Sequence, residues 1–131
     1  MESIVIDDII TNGCDLRNCT LNNDILTIEF DRITLATTME EISNIILVLF
    51  GWSSLSMSKF VGPNHFSGAE WINITEFEPL RSVDVIRVAK DRITLEGCHN
   101  SGRGWLKYDF YNPSYRISQL AQIPFLNSKP C

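Results

Sequence analysis

The sequence predicts a mainly β protein (β-rich α+β): an antiparallel curled sheet or sandwich of about six to eight short strands, with at most one or two short helices. Three observations predict it. Apolar and polar residues alternate at period two in Leu26-Thr27-Ile28-Glu29-Phe30 and again in Leu106-Lys107-Tyr108-Asp109-Phe110, the signature of a strand with one buried face. Turn-forming clusters separate the short apolar runs, among them Asn22-Asn23-Asp24, residues 97–104 and Asn112-Pro113-Ser114. No strand–helix alternation of the kind that builds a parallel sheet is visible.

Taken in order, residues 3–6 make a short first strand or enter a helix with Ile9 and Ile10, and Asn12-Gly13 ends it. Residues 16–21 and 25–30 flank the Asn-Asn-Asp turn and read as a hairpin, with Ile33 and Leu35 resuming the alternation after a break at Asp31-Arg32. Residues 38–50 fit two states. Thr38-Met39-Glu40-Glu41 matches a helix capping box, and Met39, Ile42, Ile45, Ile46 and Leu49 follow helical spacing. Residues 45–50 are equally a compact apolar run of strand length. The reading adopted is a turn of helix at 38–43 feeding a buried strand at 45–50. Residues 51–69, rich in Gly, Ser, Pro and Asn, read as a strand end and a long loop. Strands follow at 71–77, 83–88, 92–95, 104–111 and 115–120. Pro79 closes the first of these, since proline has no place inside a central ladder.

An internal repeat cuts across this order. Asp31-Arg32-Ile33-Thr34-Leu35 recurs letter for letter at Asp91-Arg92-Ile93-Thr94-Leu95. The same shift sets residues 24–26 on 84–86 and 45–50 on 105–110. Two copies are too few for a repeat array, but they predict two similar β-hairpin units, 24–50 and 84–110, within one globular domain spanning 1–131.

Composition narrows the function classes. A chain of 131 residues with 44% hydrophobic and 21% charged residues is large enough for a real core. Sixteen acidic against eleven basic side chains leave a net charge of −5, which argues against nucleic-acid binding and is compatible with a basic protein partner. The N-terminal residues lack the basic region and apolar core of a signal peptide. The longest apolar run, 45–50, is far too short for a membrane span, so a cytoplasmic protein is expected. Cys14, Cys19, Cys98 and Cys131 are spaced for reduced thiols rather than a disulfide framework. A metal site from Cys14, Cys19, Cys98 and His99 lacks the close ligand pairs that zinc favours. No metal and no cofactor is expected.

Catalytic constellations are sparse. Cys98, His65 and Asp109 supply nucleophile, base and orienter types, without any accompanying local signature. Gly97-Cys98-His99-Asn100-Ser101-Gly102-Arg103-Gly104 has glycines for a phosphate cradle, but its spacing is that of a hairpin turn. Glu76 and Glu78 lie on one face of the 71–77 strand with Ile72 and Ile74, an acidic rim beside Trp71. Glu40 and Glu41 read as helix N-terminal charges, and Asp7 and Asp8 as turn residues.

The hairpin at 22–30, the strand Ala69-Glu70-Trp71-Ile72-Asn73-Ile74 and Gly104-Trp105-Leu106-Lys107-Tyr108, in a small acidic strand-rich chain, resemble the small immunity proteins of bacterial contact-dependent inhibition and related polymorphic toxin systems. The resemblance is one of pattern and carries over no functional residue. It implies an inhibitor, not an enzyme, that binds a cognate toxin domain and blocks its active site. Such toxins are often basic nucleases. An acidic patch would steer association with a basic cleft, and aromatics ringed by carboxylates would anchor it. The candidate contacts are Glu70, Trp71, Glu76, Glu78 and Asp109. The rival expectation is a small-molecule-binding module or small enzyme built on the 51–69 loop with His65, or on the 97–104 loop with His99 and Arg103. A structural subunit with an exposed sheet edge is a third.

Overall fold

A computed structural model of the chain describes residues 4–11, 13, 15–61, 70–101 and 104–120. Ten strands are found among them, all paired antiparallel in two sheets. The first sheet takes β1 (Ile9–Ile10), β2 (Asn18–Asn22), β3 (Ile25–Leu35), β4 (Glu41–Phe50) and β10 (Ser114–Gln119), with β1 and β2 sharing one side of β3. The second runs in the order β6 (Glu70–Asn73), β5 (Ser54–Val61), β9 (Trp105–Tyr111), β8 (Arg92–Cys98), β7 (Val85–Ala89). The inner faces bury Leu26, Ile28, Phe30, Ile33, Ile45, Leu47 and Leu49 from one sheet with Ile93, Leu95, Leu106, Tyr108 and Phe110 from the other.

One bent ribbon joins the sheets. β4 pairs with β10 as far as Phe50 opposite Ser114, and β5 pairs with β9 from Ser54 opposite Tyr111. The two strands turn the corner together, each on a left-handed residue: Gly51 at φ +68° and Asn112 at φ +53°. Ser53 N donates to Tyr111 O at 2.8 Å and Asn112 Nδ2 to Ser53 Oγ at 3.1 Å, so the corner keeps its backbone partners.

Other turns follow from their letters. Asn23 and Asp24 both take positive φ, the requirement of a two-residue hairpin loop between Asn22 and Ile25. At Asp31-Arg32 the inward set on β3 changes phase, from Leu26, Ile28 and Phe30 to Ile33. β4 changes phase opposite it, from Ile45 to Ile42, across Asn44 at φ +59°. The break seen in the alternation is therefore a change of phase within two continuous strands.

Three expectations are corrected. Residues 38–43 hold no helix; the single helical piece among the described residues is a 3-10 turn, Ile6–Asp8. Thr38 Oγ1 accepts from Glu40 N at 3.2 Å rather than from a residue three further on, and Met39 sits at φ +59°. The β-branched run after it is claimed by strands on both sides. Secondly, residues 54–61 are a central strand rather than loop. Leu55 and Met57 face the core while Ser54, Ser56 and Ser58 supply the outward half of the alternation, so serine composition hid a period of two. Thirdly, the strand predicted at 71–77 ends at Asn73.

The repeated pentapeptide occupies unlike places. Residues 31–35 end the unbroken β3, whereas Asp91 lies in the tight turn between β7 and β8 and residues 92–95 open β8. Ile33 faces Ile42, yet Ile93 faces Phe110.

A strap closes the open end of the sandwich. Residues 80–84 run between β8 and the segment before β2: Leu16 N donates to Arg81 O at 2.7 Å, Arg81 N to Cys98 O and Asp84 N to Glu96 O, both at 2.8 Å. Leu80 and Val83 enter the core from it. The strap approaches β8 at Gly97, where an added Cβ would lie 1.8 Å from Ser82 O.

Candidate functional site

The expected contact residues do not form one patch. Glu70 lies in β6, with its side chain outside the described residues. Trp71 is exposed on the outer face of that edge strand, its ring 5.1 Å from Phe60 and 4.9 Å from the Lys107 ammonium. Its anchor role finds a cation beside it, not a carboxylate. Glu76 is exposed in the bend after β6. Glu78 is turned inward to Lys59, at 3.2 Å, and to His99 Nε2. Burial raises the Glu78 carboxyl pKa, but hydrogen bonds from His99 and Lys59 outweigh it and hold the group below the usual carboxylate value. Asp109 is buried, accepting from Thr94 Oγ1 at 2.5 Å. His65, Arg103 and Cys14 lie outside the described residues, and with His65 the expected Cys98, His65 and Asp109 set.

What the fold does assemble is an acidic end on the first sheet. Residues 1–53 carry nine of the sixteen carboxylates and two of the eleven cationic side chains, whereas residues 54–113 carry seven of each. At this end the loop 36–39 joins β3 to β4, and six hydrogen bonds hold it. Asp8 accepts Thr37 N at 2.8 Å and Thr37 Oγ1 at 2.9 Å through its carboxylate, and Ala36 N at 2.7 Å through its carbonyl. Met39 N donates to Leu35 O at 2.7 Å, Leu35 N to Glu40 O at 2.9 Å, and Thr38 caps Glu40. The loop so fixed displays Met39, 70% exposed. Ile10 opposes Thr34, which opposes Glu41, so an exposed isoleucine and a carboxylate share one row of the sheet. Asp7 and Glu40 are exposed nearby in sequence to Asp8 and Met39.

Sequence reasoning missed this group because Glu40 and Glu41 were given to a helix and Asp7 and Asp8 to a turn. The available signal was Thr37-Thr38-Met39 beside four carboxylates in the acidic half of the chain.

A second cluster surrounds His99. Its Nδ1 lies 2.8 Å from Ser101 Oγ and accepts Ser101 N at 2.9 Å, and its Nε2 meets Glu78. Because Nδ1 accepts a backbone proton, Nε2 carries the hydrogen that Glu78 takes. Cys19 and Cys98 are free thiols; burial pushes the Cys19 thiol up to about 11, so it is inert at neutral pH. No helix among the described residues is long and apolar enough to cross a membrane. No family model, curated protein or solved structure matches the chain.

Proposed function

We propose that this protein is an inhibitor of the immunity-protein kind, binding a cognate toxin domain through the acidic end of its first sheet. The observation that carries this reading is the 36–39 loop: an exposed Met39 on a hydrogen-bonded turn held by Asp8, with Asp7 and Glu40 exposed and Glu41 paired to Arg32 at 3.1 Å. The hydrogen bonds order the loop backbone in advance, which lowers the entropy cost of binding, and the adaptable Met39 side chain can fill an irregular apolar hollow on a partner. The surrounding carboxylates favour a basic counter-surface, such as the phosphate-binding cleft of a nuclease, and raise the association rate toward it.

The test is capture of a partner from host lysate by the tagged protein, washed at rising salt, followed by assay of the captured polypeptide for nuclease activity with and without the protein. A basic polypeptide whose activity the protein suppresses is the expected outcome. Glu40→Lys with Glu41→Lys should slow association and Met39→Ala should speed dissociation. A partner that binds both variants as tightly as the parent would remove the loop from the interface.

A small hydrolase is the second reading, favoured by the hydroxyl–imidazole–carboxylate order of Ser101, His99 and Glu78, and it requires Nδ1 to exchange the Ser101 N–H for the Ser101 hydroxyl proton. Labelling by a fluorophosphonate that disappears in Ser101→Ala would support it; an unlabelled parent protein would end it.

A further inference from the structure

The outer face of the second sheet carries a hollow that the inhibitor reading does not use. Thr94 stands in the middle of β8, with Arg87 opposite it on β7 and Asp109 opposite it on β9. One row along lie Ala89, Arg92 and Tyr111; one row back lie Val85, Glu96 and Lys107. Thr94 and Ala89 are short, while Arg87, Arg92 and Lys107 are long. Short side chains ringed by long ones leave a depression, here of about 330 Å³, at the small end of the range for ligand sites.

Charge in this hollow is layered. The side chains of Glu96 and Asp109 are 11% and 12% exposed, those of Arg87 and Arg92 66% and 46%. Both carboxylates are already engaged. Glu96 accepts from Arg87 Nη1 and from Trp105 Nε1. Asp109 accepts from Thr94, with Arg92 Nε 3.9 Å away. The cations keep donors to spare. A guanidinium has five N–H groups; Arg87 commits Nη1 to Glu96, and Arg92 leans over the Tyr111 ring at 6.0 Å. Lys107 rests its ammonium on the Trp71 ring. The sunken carboxylates fix the stems, and solvent meets guanidinium edges. This positive rim stands on a chain whose other half is strongly acidic, so an anion has a reason to settle here rather than elsewhere.

We propose that this hollow binds a small anion bearing carboxylate or phosphate groups, held by the Arg87 and Arg92 guanidinium forks with Lys107 along one wall. Forked N–H donors match the paired oxygens of either group. The site is independent of the 36–39 loop, and its occupancy does not depend on the inhibitor reading.

Isothermal titration at low ionic strength tests it, with pyrophosphate in one arm and citrate in the other. At least one should bind saturably and weaken with added salt. Arg87→Gln and Arg92→Gln should each weaken it by about tenfold or more, the worth of a charge-assisted contact. Because those variants also uncover Glu96 and Asp109, Lys107→Gln is a third, expected to weaken binding severalfold. Arg32→Gln, on the other sheet, should leave it unchanged. Binding of pyrophosphate alone assigns phosphate ligands, of citrate alone carboxylate ligands, and of both their shared chemistry. Absence of saturable binding in both arms, or binding unaltered in all three hollow variants, overturns the proposal.

Discussion

Replacing Gly97 by alanine should cost this protein far more than replacing Gly51, although both are glycines in or beside strands. At Gly97 the added Cβ would meet the strap at 1.8 Å from Ser82 O, where ordinary contact begins near 3.4 Å. Strap and strand must therefore part by about 1.6 Å. The backbone bonds on either side of the clash, Arg81 N to Cys98 O and Asp84 N to Glu96 O, are 2.8 Å long and would not survive that opening. Each is worth about 1 kcal/mol net. Leu80 and Val83, 2% and 1% exposed, would lose part of a burial worth roughly 1.5–3 kcal/mol apiece. The expected loss is about 3–5 kcal/mol, a large share of the roughly 5–15 kcal/mol that holds a domain folded. Gly51 differs: its Cβ would make only an ordinary contact, with Ser114 Oγ at 3.7 Å, and the cost is left-handed strain alone at φ +68°, about 1–2 kcal/mol. Urea unfolding of the two variants beside the parent measures both. At about 4 °C per kcal/mol, Gly97→Ala should also melt at least ~10 °C lower. Equal costs at the two glycines would refute the reasoning, because they would mean that the strap does not press on β8.

Further outcomes are expected. Tyr108→Phe should destabilise by about 1–3 kcal/mol, since the buried hydroxyl donates to Glu78 O and accepts Glu78 N; thermal unfolding checks it. Stability should fall on the alkaline side. The Cys19 thiol is raised by burial from 9.0 to about 11, and burial raises the Tyr108 phenol as well. A folded-state pKa above the unfolded one gives stability complete below the unfolded value and lost as pH climbs through the folded value. Unfolding free energy should thus decline from about pH 9 upward, and Cys19→Ala should flatten the first part of that decline. Glu78, held low, acts in the opposite direction: its contribution is present above the ordinary carboxylate range and disappears as pH drops through its lowered value. Glu78→Gln should shallow the acid limb of the same curve. Asp8→Ala should free the 36–39 loop by deleting two hydrogen bonds to Thr37, visible as faster amide exchange at Thr37 and Met39 with the core amides unchanged.

What was legible in the letters was local. The period of two at 26–30 and 106–110, the Asn23-Asp24 turn, and the break at Asp31-Arg32 each state a requirement that a few adjacent residues impose on themselves. Partnership was not legible. Residues 31–35 and 91–95 are the same five letters, yet one set finishes an eleven-residue strand and the other starts a new one after a turn. A strand has no register until a neighbour supplies hydrogen bonds, and the neighbours are β1 and β4 in one case and β7 and β9 in the other. The same holds for the charges. Glu78 and Asp109 look like surface carboxylates in sequence, and it is Lys59, His99 and Thr94, brought from 19, 21 and 15 residues away, that draw them inward. Sequence by itself determined that this chain folds as antiparallel strands with an acidic N-terminal half, because backbone alternation and charge content are local or additive. Only the tertiary structure decided which loop is displayed and which cations ring a hollow, because both depend on strands meeting across gaps in the chain that no short pattern spans.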